Sequence, residues 1–79
     1  MKVKVNRIGI IDNGCDGSDS YYLVVDEDGN GSVEEVRNMF EEAHGSIAWG
    51  NQFCAGVSVV KQEHADNVYL VTVRHRFDN

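Results

Sequence analysis

Proline is absent from the 79-residue sequence, so no position is barred from the interior of a helix or of a central strand. No hydrophobic run approaches the roughly 18 residues that a membrane-spanning helix requires, and we expect no membrane contact. Residues 1–7 alternate charged residues with valine and lack the continuous apolar stretch of a signal peptide. These absences predict one cytoplasmic domain spanning residues 1–79, because so short a chain leaves no room for a second domain.

Motifs that identify enzymes and metal sites are also missing. The sequence contains no CxxC or HExxH spacing, no nucleophile elbow, no phosphate-binding loop and no dinucleotide-binding fingerprint. Its two cysteines, Cys15 and Cys54, are expected to be free thiols in a reducing compartment, the first exposed and the second buried. We therefore predict that the protein is not an enzyme and uses neither a cofactor nor a metal ion.

Acidic residues are abundant and unevenly distributed along the chain. The net charge is −6, yet the segment from Asp12 to Glu42 holds ten acidic residues against a single basic one, Arg37. The two flanks hold the other six basic residues and only three acids. A charge distribution of this kind repels nucleic acid and attracts cationic surfaces, so we expect no direct binding to nucleic acid.

One amphipathic helix is predicted at about Ser32–His44. Ser32 and Glu35 form a capping-box pattern, and Gly45 is well placed to end the helix. Apolar side chains recur at helical spacing and form one stripe, which comprises Val33, Val36, Met39, Phe40 and Ala43. The rest of the helix surface is polar and mostly acidic.

Four strands are predicted around this helix. The first ends by Asp12, and the parity of its apolar residues switches near Asn6 and Arg7, which indicates either a β-bulge or an upper half that is buried on both faces. Residues 12–19 have the composition of turns. The other strands are predicted at about Tyr21–Val25, Cys54–Gln62 and Val68–Phe77. The resulting ββαββ order predicts an α+β fold with one helix packed on a four-stranded, mainly antiparallel sheet of undetermined strand order.

The best match to a known motif is to a calcium-binding loop. Oxygen-bearing side chains fill positions 1, 3, 5 and 7 of that pattern, at Asp26, Asp28, Asn30 and Ser32. Position 12 of the pattern should be a bidentate glutamate but is Arg37, and the preceding element is a strand instead of a helix. An acidic turn that leads into a capped helix explains the same residues without a metal, and we favour that interpretation.

A very small, acidic, proline-free domain without a catalytic motif resembles the inhibitors that bacteriophages and mobile elements direct at host defence, including anti-CRISPR proteins. The resemblance is one of size, charge and architecture over the whole chain. It implies a stoichiometric inhibitor in the host cytoplasm. Such an inhibitor blocks a basic, nucleic-acid-binding surface of a defence complex, sometimes as a mimic of nucleic acid.

The acidic middle of the chain is then the candidate protein-binding surface, because its carboxylates suit the arginine and lysine side chains of a basic partner. Aromatic side chains beside it would serve as anchors. The predicted site comprises Asp26, Glu27, Asp28, Glu34, Glu35, Glu41, Glu42, Tyr21 and Trp49. The alternative is a small structural or interaction domain that forms a homodimer through an apolar sheet face or an edge strand.

Overall fold

The computed structural model describes residues 2–14, 17–44 and 52–77, without the side chains of His44, Gln52, Phe53, Cys54 and Phe77. The elements in chain order are β1 (Val3–Asp12), β2 (Gly17–Asp26), α1 (Val33–His44), β3 (Gln52–Lys61) and β4 (Val68–Phe77). The α+β class and the ββαββ order are as predicted, with α1 packed against a four-stranded antiparallel sheet.

The strands lie in the order β1-β2-β4-β3, and each neighbouring pair is antiparallel. The near-continuous apolar run of β2 fits its position inside the sheet, where a strand flanks it on each edge. The connection through α1 carries the chain from β2 over β4 to the far edge, so β1 and β3 are the two edge strands. This order follows from long-range pairing and is not determined by the sequence pattern.

The start of β2 differs from the prediction. The strand begins at Gly17, four residues before the predicted start at Tyr21, so the prediction of turns is wrong for residues 17–19. Pairing on both sides overrides the local turn composition, since Ser18 pairs with Asp12 on one side and with His75 on the other. Gly17 adopts a φ of 123°, and a Cβ at this position would collide with the main-chain carbonyl of His75.

The predicted bulge in β1 is present. The register with β2 shifts between Arg7 and Gly9, one residue later than predicted, and Ile8 is the extra residue. The shift moves by one position the alternation of β1 side chains between the two faces of the sheet. As a result Val5 and Ile10, which have opposite parity in the sequence, both lie on the sheet face that α1 covers.

The hydrophobic core lies between α1 and one face of the sheet. Its buried members are Val24, Val36, Phe40, Val59, Tyr69, Val71 and Val73. The ring of Phe40 lies 5.2 Å from that of Tyr22, measured between centroids. The predicted apolar stripe of the helix is therefore confirmed at its centre, whereas Ala43 is exposed. Because α1 lies closest to β3, no residue of β1 is fully buried in the core.

The start of α1 is capped as the sequence predicts. The Oγ of Ser32 accepts the backbone N–H of Glu35 at 3.2 Å, and its hydroxyl donates to Oε1 of Glu35 at 3.4 Å. We expect Ser32→Ala to lower the free energy of unfolding by about 1 kcal/mol, because one N-terminal donor of the helix loses its acceptor. Urea denaturation measures the change. Ser32→Asn, which keeps an acceptor, should retain most of that stability, and an equal loss in both variants would contradict the capping role.

Candidate protein-binding surface

The carboxylate of Asp26 organises the loop that joins β2 to α1. Its Oδ1 accepts the backbone N–H groups of Asp28 at 3.3 Å and Gly29 at 3.2 Å, and its Oδ2 accepts that of Gly31 at 2.6 Å. Asp26 is only 1% exposed. The prediction that it belongs to the exterior acidic surface is therefore wrong, because both carboxylate oxygens bind the loop's own backbone. The same contacts engage the oxygens of one of the four side chains in the calcium pattern.

Further hydrogen bonds connect the loop between β2 and α1 to the sheet. The hydroxyl of Tyr69 donates to the carbonyl of Gly31 at 3.3 Å, and the backbone N–H of Glu27 donates to the carbonyl of Lys2 at 2.9 Å. The Oδ2 of Asp28 accepts the backbone N–H of Lys2 at 3.2 Å. The loop thus holds the exposed side chains of Glu27 and Asp28 at the N-terminal end of α1.

Four exposed glutamates occupy the outer side of α1, and they are Glu34, Glu35, Glu41 and Glu42. At about 100° per residue these positions span an arc of about 120° that faces away from the buried Val36 and Phe40. They form two pairs with a separation of seven positions, which is about 10 Å along the helix axis. The packing of α1 on the sheet therefore fixes four carboxylates on a single outward surface.

Within residues 2–14, 17–44 and 52–77, these charges are not paired with cations. Among the described residues the structure contains one salt bridge, between Arg76 and Asp19 at 3.1 Å, on the face of the sheet opposite α1. Arg37 is half-buried and, within the described part of the chain, forms no ion pair with the glutamates around it. We define the acidic surface as Glu27, Asp28, Glu34, Glu35, Glu41 and Glu42.

The predicted aromatic anchors do not join this surface in the described residues. Tyr21 pairs with Thr72 on the sheet face opposite α1, whereas its neighbour Tyr22 lies on the helix side and contacts Phe40. Tyr21 is therefore not beside the acidic surface. Trp49, the other predicted anchor, lies outside the described residues.

An apolar groove between α1 and β1 was not predicted from the sequence. It has a volume of about 410 Å³ and is lined by Val5, Tyr22, Met39, Phe40 and Ala43. The groove exists because α1 lies towards β3, so that within the described part of the chain the β1 side of the sheet is uncovered. The only signal for it in the sequence is the parity switch of β1, which brings Val5 and Ile10 to this face.

Clusters of metal-ligating side chains and membrane-spanning helices can be sought only in the described residues. Within residues 2–14, 17–44 and 52–77, no three His, Cys, Asp or Glu side chains are placed to hold a metal ion. In the same ranges no helix has the length and apolar character needed to cross a membrane. The predictions for Cys15 and for the thiol of Cys54 fall outside the described residues. No family model, curated protein or solved structure matches the chain.

Proposed function

We propose that the protein is a non-enzymatic inhibitor that uses its acidic surface to cover a basic, nucleic-acid-binding surface of a host defence complex. The observation that supports this most is the set of four exposed glutamates on one outward arc of a packed helix, none of which forms an ion pair within the described residues. Arginine and lysine side chains that normally hold phosphate groups are the natural complement of such carboxylates. The inhibitor then competes with nucleic acid for the same groups.

The position of the charges along α1 supports a binding role beyond solubility. Glu34 and Glu35 lie in the first helical turn, where negative charge stabilises the helix dipole. Glu41 and Glu42 lie in the last turn, where negative charge is unfavourable by about 0.3–1 kcal/mol each. Solubility could be obtained from acids at positions that cost the helix nothing. Carboxylates at both ends of the helix would match a partner surface about 10 Å across.

The rigid helix that carries the carboxylates favours electrostatic binding. A helix fixed by Val36 and Phe40 against the sheet presents its side chains on a rigid backbone, so little backbone entropy is lost on binding. Complementary charge also accelerates encounter with a basic partner. The net charge of −6 disfavours association with nucleic acid itself. These properties are those of a protein that competes with nucleic acid instead of binding it.

Salt dependence provides the first test of this proposal. The immobilised protein would be exposed to a bacterial host lysate at about 0.1 M salt, and bound proteins would be eluted at about 0.5 M and identified by mass spectrometry. Because the screening length falls from about 10 Å to about 4 Å, we expect the partner to be released. The purified partner should bind nucleic acid in the absence of this protein and lose that binding when saturated with it. Retention at 0.5 M salt, or undiminished nucleic-acid binding, would contradict the proposal.

A further inference from the structure

β1 is an edge strand with exposed side chains along most of its length. Val5, Ile8, Ile10 and Ile11 are between 44% and 53% exposed, and they are four of the five large hydrophobic residues exposed in the described chain. Among the residues that the structure describes, no strand lies beside the outer side of β1 in the sheet. An edge of this kind is a template for pairing with another strand.

The usual protection of a sheet edge is only partial in β1. Edge strands are commonly kept apart by short length, proline, charged side chains or a β-bulge. β1 carries Lys4 and Arg7 and has a bulge, but it is ten residues long without proline, and the stretch from Ile8 to Ile11 carries no charge. Its bulge shifts the register with β2 but leaves residues on both sides of it in an extended ladder.

The hydrogen bonds to β2 identify which backbone groups of β1 point outward. The carbonyl of Lys2 accepts the N–H of Glu27, and the N–H of Asn13 donates to the carbonyl of Gly17, so these residues face β2. In an antiparallel ladder such residues alternate with residues whose N–H and C=O point away. Counting inward from both ends to the bulge, the outward-facing residues of regular geometry are Val3, Val5, Arg7, Ile10 and Asp12.

This outward set is self-complementary in one full-length register. When two antiparallel copies of β1 are aligned so that facing residue numbers add to 15, Val3 faces Asp12 and Val5 faces Ile10 of the other copy. Each facing pair consists of outward residues that exchange two backbone hydrogen bonds, which gives about eight bonds over the strand pair. In this register the facing side chains also lie on the same face of the sheet. The reason is that the bulge shifts the alternation of side chains and the alternation of backbone hydrogen bonds by the same one position.

We propose that two copies of this chain associate through β1, antiparallel and in this register, to form one continuous eight-stranded sheet. The twofold axis passes between Arg7 and Ile8. The occupant of the edge is a second copy because β1 complements itself in backbone hydrogen bonding and in the apolar side chains that it exposes. Its charged side chains face apolar ones in this register, since Lys4 lies opposite Ile11, Arg7 opposite Ile8 and Asp12 opposite Val3.

Pairing in this register also covers the exposed apolar side chains of the edge. On the helix side, Val5 of one copy lies beside Ile10 of the other, and this occurs twice by symmetry. Val5 is also a wall of the groove beside α1, so the groove continues into the paired edge. Side chains that are exposed in one copy therefore become neighbours in a dimer.

The arrangement has a consequence for the acidic surface. A twofold axis perpendicular to the sheet keeps both helices on the same face, so the dimer presents two acidic surfaces in one direction. Two linked surfaces raise the apparent affinity for a partner that carries repeated basic sites. The self-association goes beyond the proposed function and does not depend on it, since the dimer can form whether or not the glutamates bind a partner.

Sedimentation equilibrium tests the self-association. We expect the purified protein at about 0.1 mM to sediment as a species of twice its 8.8 kDa mass. Ile10→Pro should yield a monomer, because the N–H that it removes points away from β2 and a proline is tolerated on an edge. Ile10→Lys, which preserves the backbone donor, should also weaken the dimer at least tenfold and provides a second variant if the proline variant does not fold.

The matched control is Val60→Lys, which changes a residue of similar exposure (54%) on β3, at the other edge of the sheet. It should leave the dimer intact. A monomeric wild-type protein at 0.1 mM would overturn the proposal, and so would a dimer broken by Val60→Lys but not by the two Ile10 variants.

Amide hydrogen exchange tests the register. In the dimer the amides of Val5 and Ile10 should be protected, and this protection should disappear on dilution to monomer. The amides of Asn6 and Ile11, which face β2, should remain protected at every concentration. Protection of Val5 and Ile10 that does not change with concentration would contradict pairing through β1.

Discussion

Reversing all four glutamates of the helix exterior to lysine is expected to weaken binding of the captured partner at least about a hundredfold, or about 2.7 kcal/mol. The substitutions are Glu34→Lys, Glu35→Lys, Glu41→Lys and Glu42→Lys. Each replaces an attraction by a repulsion, and together they reverse the sign of the protein's net charge, which is −6 in the unchanged chain. Titration calorimetry measures the dissociation constant.

The fold should survive this change. All four side chains are exposed, so none of the substitutions disturbs the core. Lysines in place of Glu34 and Glu35 oppose the helix dipole, whereas lysines in place of Glu41 and Glu42 favour it, and the two effects offset each other. Thermal unfolding followed by circular dichroism should therefore give a Tm close to that of the unchanged protein. Binding that persists in a folded quadruple variant would contradict the proposed site.

A matched pair of double variants separates the contribution of the helix surface to binding affinity from the contribution of net charge. Glu34→Lys with Glu41→Lys changes the net charge as much as Glu63→Lys with Asp66→Lys, but the second pair lies in the exposed turn between β3 and β4. We expect the helix variant to lose at least about tenfold in affinity and the turn variant less than about threefold. Equal losses would show that binding depends only on total charge.

Replacing Asp26 is expected to cause the largest loss of stability among the acidic residues. Asp26→Ala removes the acceptors of three backbone N–H groups in a part-buried loop, and we expect the free energy of unfolding to fall by about 3 kcal/mol. Asp26→Asn keeps the shape but has only one acceptor oxygen, so a loss of about 2 kcal/mol is expected. Urea denaturation measures both changes.

Asp28→Ala is the control for this loop. The side chain of Asp28 is exposed and accepts one backbone hydrogen bond, from Lys2, so its removal should cost less than about 0.5 kcal/mol. If Asp26→Ala were no more destabilising than Asp28→Ala, the carboxylate of Asp26 would not organise the loop. The comparison also separates the two roles of acidic residues in this chain, one in folding and the other in the proposed surface.

Local sequence patterns predicted α1 and β4, because the bounds of these two elements are not altered by the elements that they pack against or pair with. The helix is specified by a capping residue and by an apolar stripe at helical spacing, which together predict a start within one residue of the observed one at Val33. β4 alternates apolar and polar residues between Val68 and Phe77, and its predicted bounds are the observed ones. In both elements the periodicity that the sequence displays is the periodicity that packing requires.

Long-range pairing determined the features that the sequence could not show. The first four residues of β2 have turn composition, yet their position between β1 and β4 makes them strand. The strand order depends on which edges meet, and no local pattern encodes this. The groove beside Val5 follows from where α1 lies across the sheet, which is again a property of the assembled layers.

The candidate site was predictable to a similar extent. The outward position of the helical glutamates follows from the apolar stripe on the opposite side of α1. The burial of Asp26 does not, because a sequence shows an acid in a turn but not the backbone donors that fold around it. The prediction that Tyr21 lies beside the acidic surface fails because β2 is apolar on both faces, so its sequence does not reveal which side chains face α1.

The most direct test of the acidic surface is a map of amide chemical-shift changes in the ¹⁵N-labelled protein bound to the captured partner. If that surface is the binding site, the largest changes fall at residues 27–28 and 34–42. The sheet face opposite α1, around Tyr21 and Leu70, should remain unchanged in that experiment. A footprint centred on that sheet face, with the helix unaffected, would contradict the account.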